Sequence, residues 1–280
     1  MEILWKFKFY PRGSVSYVPV VSDDRIFVLS DYRVWSLDIR WGFLYFKEPI
    51  VNFWERFLLP KKGWVTNFLS QNGLFYILLK DRFSKTHRVV FDPVKKSVIG
   101  GNTGPLYRKV KYIFKSKVKI ERCYIDGTYR EGLTAFSHPE EKLLWTSSSL
   151  LRPAIKYTEL VGDIIQVGDG IIMAQNYFSR KGRMPAGYSI ICFEHKTGSV
   201  IWRIESYTYS QGIYPFFVEG DFMYVTTSGH KGGFFKKIDL RTGKTVINKT
   251  FLDISSGVCG KDGIYYFGAG DEVIACIEDG

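Results

Sequence analysis

The chain is poor in the residue patterns that carry chemistry. Its four cysteines, Cys123, Cys192, Cys259 and Cys276, form no Cys-x-x-Cys pair, and its four histidines, His87, His138, His195 and His230, show no metal-ligand spacing. Gly-x-Ser-x-Gly is absent, which removes the nucleophile elbow, and so are the glycine-rich cradles of nucleotide-binding loops. Lys231-Gly232-Gly233 and Gly268-Ala269-Gly270 read as strand-end turns instead. No apolar run approaches the roughly 20 residues that span a bilayer, and no Pro/Gly/Ser-rich linker divides the chain. The first residues mix Glu2, Lys6 and Lys8 into an apolar stretch rather than placing a basic segment before an apolar one, so they do not read as a secretory leader, and a cytoplasmic protein is expected. The cysteines read as reduced core residues, with Cys259 and Cys276 the one pair falling in the same terminal stretch.

What is present is repetition. A bulky apolar residue, an acid or its stand-in, a turn and an aromatic-rich strand recur: Leu37-Asp38 before Phe43-Leu44-Tyr45-Phe46, Phe91-Asp92 before Val98-Ile99, Phe136-Ser137 before Leu143-Leu144-Trp145, Phe193-Glu194 before Val200-Ile201-Trp202, and Ile238-Asp239 before Val246-Ile247. In four copies the step from the acid position to the key strand residue is eight: 38 to 46, 137 to 145, 194 to 202 and 239 to 247. A sixth copy is split between the ends, Ile277-Glu278-Asp279-Gly280 supplying the turn and Ile3-Leu4-Trp5 the strand. With Glu278 as its acid, successive intervals are 54, 45, 57, 45 and 39 residues, near the period of about 40 to 50 of propeller blades. Ahead of the tags lie turn-bounded apolar runs such as Arg25-Ile26-Phe27-Val28-Leu29 and Phe222-Met223-Tyr224-Val225, which are strand signals. The third repeat fits loosely and is expected to be the most irregular.

The segments Tyr17-Val18-Pro19-Val20-Val21, Ile26-Phe27-Val28 and Val34-Trp35-Ser36-Leu37-Asp38, with the turns Lys196-Thr197-Gly198 and Arg241-Thr242-Gly243, resemble the repeat of the PQQ-like (quinoprotein) β-propeller superfamily, with a likeness to WD-type repeats. The resemblance implies an all-β fold: one closed propeller over residues 1–280, with six four-stranded blades, or seven if a degenerate copy hides near Tyr112 to Cys123. The N-terminal strand would complete the last blade and leave no open edge between the termini. The vicinal cysteine pair with which quinoprotein enzymes hold their cofactor is missing, so no cofactor and no catalytic or metal-binding residue is expected, and the protein reads as more a binder than an enzyme. The recurring acids Asp38, Asp92, Glu194, Asp239 and Glu278 are expected to cap turns. Trp5, Phe46, Trp145 and Trp202 are expected to pack between repeats, and His138 and His195 to be solvated turn residues.

Charge departs from a neutral scaffold. The net charge is +11, and residues 80 to 122 hold thirteen Lys or Arg against three acids. Arg108, Lys109, Lys111, Lys115, Lys117 and Lys119 interleave with Tyr112, and the alternation around Lys115, Lys117 and Lys119 sets lysines on one face of a strand, a candidate polyanion or nucleic-acid surface. The same lysines could protect a sheet edge. A Lys-rich chain with only four glutamines also fits heat adaptation. Between repeats one and two, Ile50, Phe53, Trp54 and Phe57 would share one face of a helix, and Phe53, Trp54 and Phe57 form the candidate protein interface. The leading expectation is a non-enzymatic interaction platform with a protein partner and no membrane. The alternatives are polyanion binding through residues 80–122 and a small-ligand or hydrolase site in the central channel.

Overall fold

The computed structural model describes residues 1–9, 18–30, 32–50, 64–71, 73–80, 86–103, 111–113, 117–124, 131–147, 157–178, 185–208, 211–229 and 232–278. They form six four-stranded antiparallel sheets. The first holds β2 (Val20–Ser22), β3 (Arg25–Ser30), β4 (Arg33–Asp38) and β5 (Leu44–Pro49) in that order. The second holds β6 (Trp64–Gln71), β7 (Leu74–Lys80), β8 (Thr86–Asp92) and β9 (Ser97–Thr103), and the third β10 (Lys111–Ile113), β11 (Val118–Tyr124), β12 (Glu131–Ser137) and β13 (Leu143–Thr146). The fourth holds β14 (Tyr157–Val167), β15 (Gly170–Phe178), β16 (Gly187–Glu194) and β17 (Val200–Ser206), and the fifth β18 (Phe217–Glu219), β19 (Phe222–Thr227), β20 (Gly233–Asp239) and β21 (Thr245–Phe251). The sixth takes β22 (Ile254–Lys261), β23 (Ile264–Ala269) and β24 (Glu272–Ile277) from one end of the chain and its outer strand, β1 (Glu2–Lys8), from the other.

Two compact units contain these sheets. One comprises Met1–Leu106 with Leu252–Gly280, hence the sixth, first and second sheets; the other is Tyr107–Phe251, the third to fifth. In the first unit Phe27, Leu29, Val34 and Phe46 pack with Phe68, Phe75, Ile77 and Phe91 of the next sheet, and Ile26, Val28 and Leu37 with Tyr266, Val273 and Ala275 of the sixth. In the second, Trp145 and Leu133 meet Ile171, Met173 and Phe193, while Ile172, Ile190 and Trp202 meet Met223, Val225 and Ile238. Middle strands such as β3, β4, β15, β16, β19, β23 and β24 are buried on both faces, which is why they read as largely continuous apolar runs rather than alternations.

One register rule holds in all six sheets. The residue two before the acid position pairs with the residue eight after it: Ser36 with Phe46, Val90 with Gly100, Ala135 with Trp145, Cys192 with Trp202, Lys237 with Ile247, and Ala275 with Trp5. Between that pair and the next the outer strand carries one extra residue, a β-bulge in the same place every time, as at Leu37 opposite Leu44 and Cys276 opposite Ile3. The bulge lengthens the constant step, so the sequence spacing of eight is a bulge written as a number. It also corrects the sixth copy: Ala275 opposite Trp5 makes Ile277, not Glu278, the acid's equivalent. Within the stretch where a seventh repeat would hide, Tyr112 and Ile113 belong to β10 and Val118 to Cys123 to β11 of the third sheet.

The acids do what turns require. Asp38 Oδ1 accepts from the backbone N–H groups of Arg40 (2.8 Å) and Trp41 (2.6 Å), Asp92 from Val94 and Lys95, and Asp239 from Arg241 and Thr242. Hydrogen bonds from Thr242 hold the Asp239 carboxyl below its ordinary value, and those from Thr197 do the same for Glu194. The turn then passes through a left-handed residue four beyond the acid: Gly42, Lys96, Glu141, Gly198 and Gly243. The three glycines lie under an indole from the preceding sheet, Gly42 under Trp5, Gly198 under Trp145 and Gly243 under Trp202. Each indole N–H donates to the carbonyl one residue past the acid position, at Ile39 (3.3 Å), His195 (2.8 Å) and Leu240 (3.0 Å). Where the preceding sheet offers Phe46 instead, Lys96 is tolerated and sets its ammonium over that ring at 5.5 Å.

This clasp predicts an asymmetry between glycines of like backbone. At Gly243 (φ +70°) a Cβ would lie 2.7 Å from the Trp202 ring, whereas at Gly263 (φ +74°) it would meet nothing within 4 Å. Gly263→Ala is expected to cost about 1–2 kcal/mol for the backbone alone, and Gly243→Ala clearly more; Trp202→Ala should cost about 3–5 kcal/mol. Urea titrations of the three variants check the order.

Candidate functional site

The sequence candidates fare differently. Phe53, Trp54 and Phe57 lie outside the described residues, as do Arg108, Lys109 and Lys115. Ile50, placed with the first three on a helix face, is buried in the first unit's core and donates its N–H to Tyr32 O at 3.0 Å. Lys111 and Tyr112 belong to β10, opposite Glu121 and Ile120. Lys117 is exposed in the turn before β11, with φ +59°.

Lys119 requires a correction. It is 6% exposed, not part of an open lysine face. Its ammonium donates to both oxygens of Glu141, at 2.6 and 2.5 Å, and lies 3.1 Å from Glu121. The hydrogen bonds to Glu141, then to Glu121, push its pKa above the ordinary 10.5. The physical reason is the strand itself: Val118 and Ile120 go into the core, so the intervening Lys119 faces the turn that carries Glu141. Lys117 and Lys119 thus do not alternate along one strand face, because the chain turns at Lys117 before β11 begins at Val118. Other bases of the sector also have local tasks. Arg122 donates to Leu160 O at 2.7 Å, Lys95 lies 3.9 Å from Asp92, and Lys96 covers Phe46.

His195 is a second correction. It is buried, not solvated: Nδ1 lies 2.7 Å from Asp169 O, the same carbonyl accepts its backbone N–H, and its own carbonyl receives the Trp145 indole. Cys192, Cys259 and Cys276 are free thiols, as the core reading expects. Burial pushes Cys192 up to about 11 and Cys276 up to about 12, so both stay protonated and unreactive at neutral pH. Among the described residues no group of three or more His, Cys, Asp or Glu is placed to hold a metal ion.

Sequence reasoning missed a polar row across the fourth sheet. Gln175, Ser189 and Glu205 lie directly opposite one another on β15, β16 and β17. Gln175 donates to Ser189 Oγ at 3.0 Å; Tyr177 and Tyr207 donate their hydroxyls to Glu205 at 3.3 and 2.8 Å, and Arg203 pairs with the same carboxylate. Burial, then the bond to Glu205, raises the Tyr207 hydroxyl. The row cross-links three strands. Its members are scattered in sequence over residues 175 to 207, so only strand register could reveal it.

The surface is more informative when the repeats are superposed by register. Three residues past the acid position, five copies have Lys95, Glu140, Thr197, Thr242 and Gly280; five residues past, they have Ser97, Lys142, Ser199, Lys244 and Glu2. The first copy alone has Trp41 and Phe43, which are 68% and 72% exposed. Leu44 and Tyr45 beside them are half-exposed, and Arg25 stacks over the Tyr45 ring at 4.5 Å. The turn does not need aromatics at these two positions, since the four other copies with a described turn form it with polar residues.

No protein-family model and no curated protein matches the chain. Solved structures do. The chain is similar to Drosophila Semaphorin 1a, extracellular domains 1–2 (7% identity over 99% of this chain and 88% of that one, TM-score 0.56). It is similar also to the RRP9 WD40 repeats (9%, 98% and 96%, TM-score 0.51) and to the WD40 β-propeller domain of Doa1 (13%, 99% and 97%, TM-score 0.50). Among the described residues no helix is long and apolar enough to cross a membrane. The fold is that of the β-propellers, as the resemblance to PQQ-like and WD-type repeats implied.

The Lys119 pairing carries a pH signature. Its raised pKa contributes stability that is fully present below 10.5 and lost as pH rises through the higher folded-state value. Lys119→Met is expected to lower Tm at pH 7 to 9, with the gap to the parent narrowing only above pH 10.5, as thermal scans across that range would reveal. Lys117→Glu, in an exposed turn, should leave Tm nearly unchanged.

Proposed function

We propose that this chain is a non-enzymatic, cytoplasmic β-propeller of six blades closed in one ring, which acts as a protein-interaction platform. The tag spacing and the bulge register shared by all six sheets support the ring, and within each unit every sheet clasps the one after it through Trp5, Phe46, Trp145 or Trp202. The fold by itself assigns no activity, so the reading rests on the surface. Its carrying observation is the exposure of Trp41 and Phe43 where the other repeats have polar residues or glycine. Large exposed aromatics are the residue type around which interface hot spots form. Tyr45, held by Arg25, extends the patch along the outer strand.

The test uses residues the fold already accepts at these positions. Tagged parent protein and the double variant Trp41→Thr/Phe43→Ser are used to capture partners from the source lysate, with and without nuclease. Protein recovered by the parent after nuclease treatment and depleted at least ten-fold with the variant is the expected result. Equal recovery by both refutes the patch. Recovery that collapses with nuclease moves the basic sector of residues 80–122 to first place.

A further inference from the structure

The second sheet breaks two rules that the other sheets keep, both at its outer strand. The first concerns edge protection. An outer strand presents unpaired backbone groups, and proteins blunt such edges with charge, proline or shortness. β1 carries Glu2, Lys6 and Lys8; β5 has Lys47, Glu48 and Pro49; β17 has Arg203 and Glu205; β21 has Lys249; β13 is only four residues long. β9, Ser-Val-Ile-Gly-Gly-Asn-Thr, has seven residues and none of these devices. Residues 94 to 100 are exposed throughout, with Val94 at 86%, Val98 at 43% and Ile99 at 47%.

The second rule concerns the residue eight past the acid position. Five sheets place Trp5, Phe46, Trp145, Trp202 or Ile247 there, and the second places Gly100. Neither the backbone nor space demands glycine. Its φ is outside the left-handed region, and a Cβ would meet nothing within 4 Å. A glycine inside a strand weakens it, and commonly marks the close approach of another backbone or ligand. A bare strand glycine is also where a facing aromatic ring can settle.

The sequence of this repeat is basic as well: residues 64 to 103 hold six Lys or Arg against Asp81 and Asp92. At the entrance to β9 both Lys95, 3.9 Å from Asp92, and Lys96, over the Phe46 ring, remain exposed. An uncharged edge beside a repeat with a net positive charge suits an acidic strand.

We propose that the β9 edge takes up an extended acidic segment of a partner protein as a fifth strand of this sheet, with an aromatic side chain of that segment seated over Gly100. Backbone hydrogen bonds supply the affinity, and Gly100, Val98 and Ile99 the side-chain selectivity. The inference rests on the platform reading but uses a different surface from Trp41 and Phe43.

A random linear-peptide display library panned on the intact protein provides the probe, and the enriched peptides are measured by fluorescence anisotropy. Enriched peptides should alternate acidic with apolar residues around one aromatic. Their affinity should fall at least ten-fold in Gly100→Trp, which installs the residue type of the other sheets without lowering Tm, and comparably in Val98→Lys. Should Gly100→Trp misfold, Val98→Lys decides alone. Trp41→Thr/Phe43→Ser should bind the peptides as the parent does. No enrichment, or affinity unchanged by the β9 variants, overturns the edge proposal and leaves the platform reading to the capture experiment; peptides lost only in the Trp41/Phe43 variant overturn the edge while supporting the platform.

Discussion

An indole resting on a glycine, with its N–H tied to a neighbouring turn carbonyl, is the contact on which the sheets depend. Trp5, Trp145 and Trp202 each combine a large apolar face with one donor, and each finds both partners in the same turn of the following sheet. That turn in turn needs a left-handed residue, which glycine supplies without a Cβ to strike the ring. The acid ahead of it collects the otherwise unpaired N–H groups and fixes the turn's shape. Removing any of the three, indole, glycine or acid, loosens the other two.

The repeats act as internal controls on one another. A residue type found at one register position in most sheets is what the fold requires; a lone departure asks for another explanation. By that measure the recurring acids are structural, as are the aromatics eight residues beyond them. Trp41 and Phe43 are surplus to the turn, and Gly100 leaves a place unfilled. The basic sector is less exceptional than its composition suggests, because Lys95, Lys96, Lys119 and Arg122 all have partners close by.

Much of the fold was legible because a bulge of constant position leaves a constant spacing. The step of eight located the outer strands, and the split copy at the termini located β1 beside β24. The misreadings share one cause, which is that local pattern does not show strand limits, cross-strand register or what an adjacent sheet covers. Lys117 and Lys119 alternate in sequence as if on one strand face, yet β11 starts only at Val118. His195 stands in a turn, and turns are usually wet, but the Trp145 indole of the adjacent sheet covers this one. Glu278 fits the tag by type and misses it by one residue, a difference only the Ala275 to Trp5 pairing reveals.

The sequence by itself determined the strand order, the repeat and the turn chemistry, because those depend on residues within about ten positions of each other. Burial, pairing and exposure were decided by tertiary structure. Whether Lys119 meets solvent or Glu141, whether Gln175 faces Ser189 and Glu205, and whether Trp41 is covered all depend on residues brought together across strands, and side-chain partners at that range leave no periodic trace in the chain.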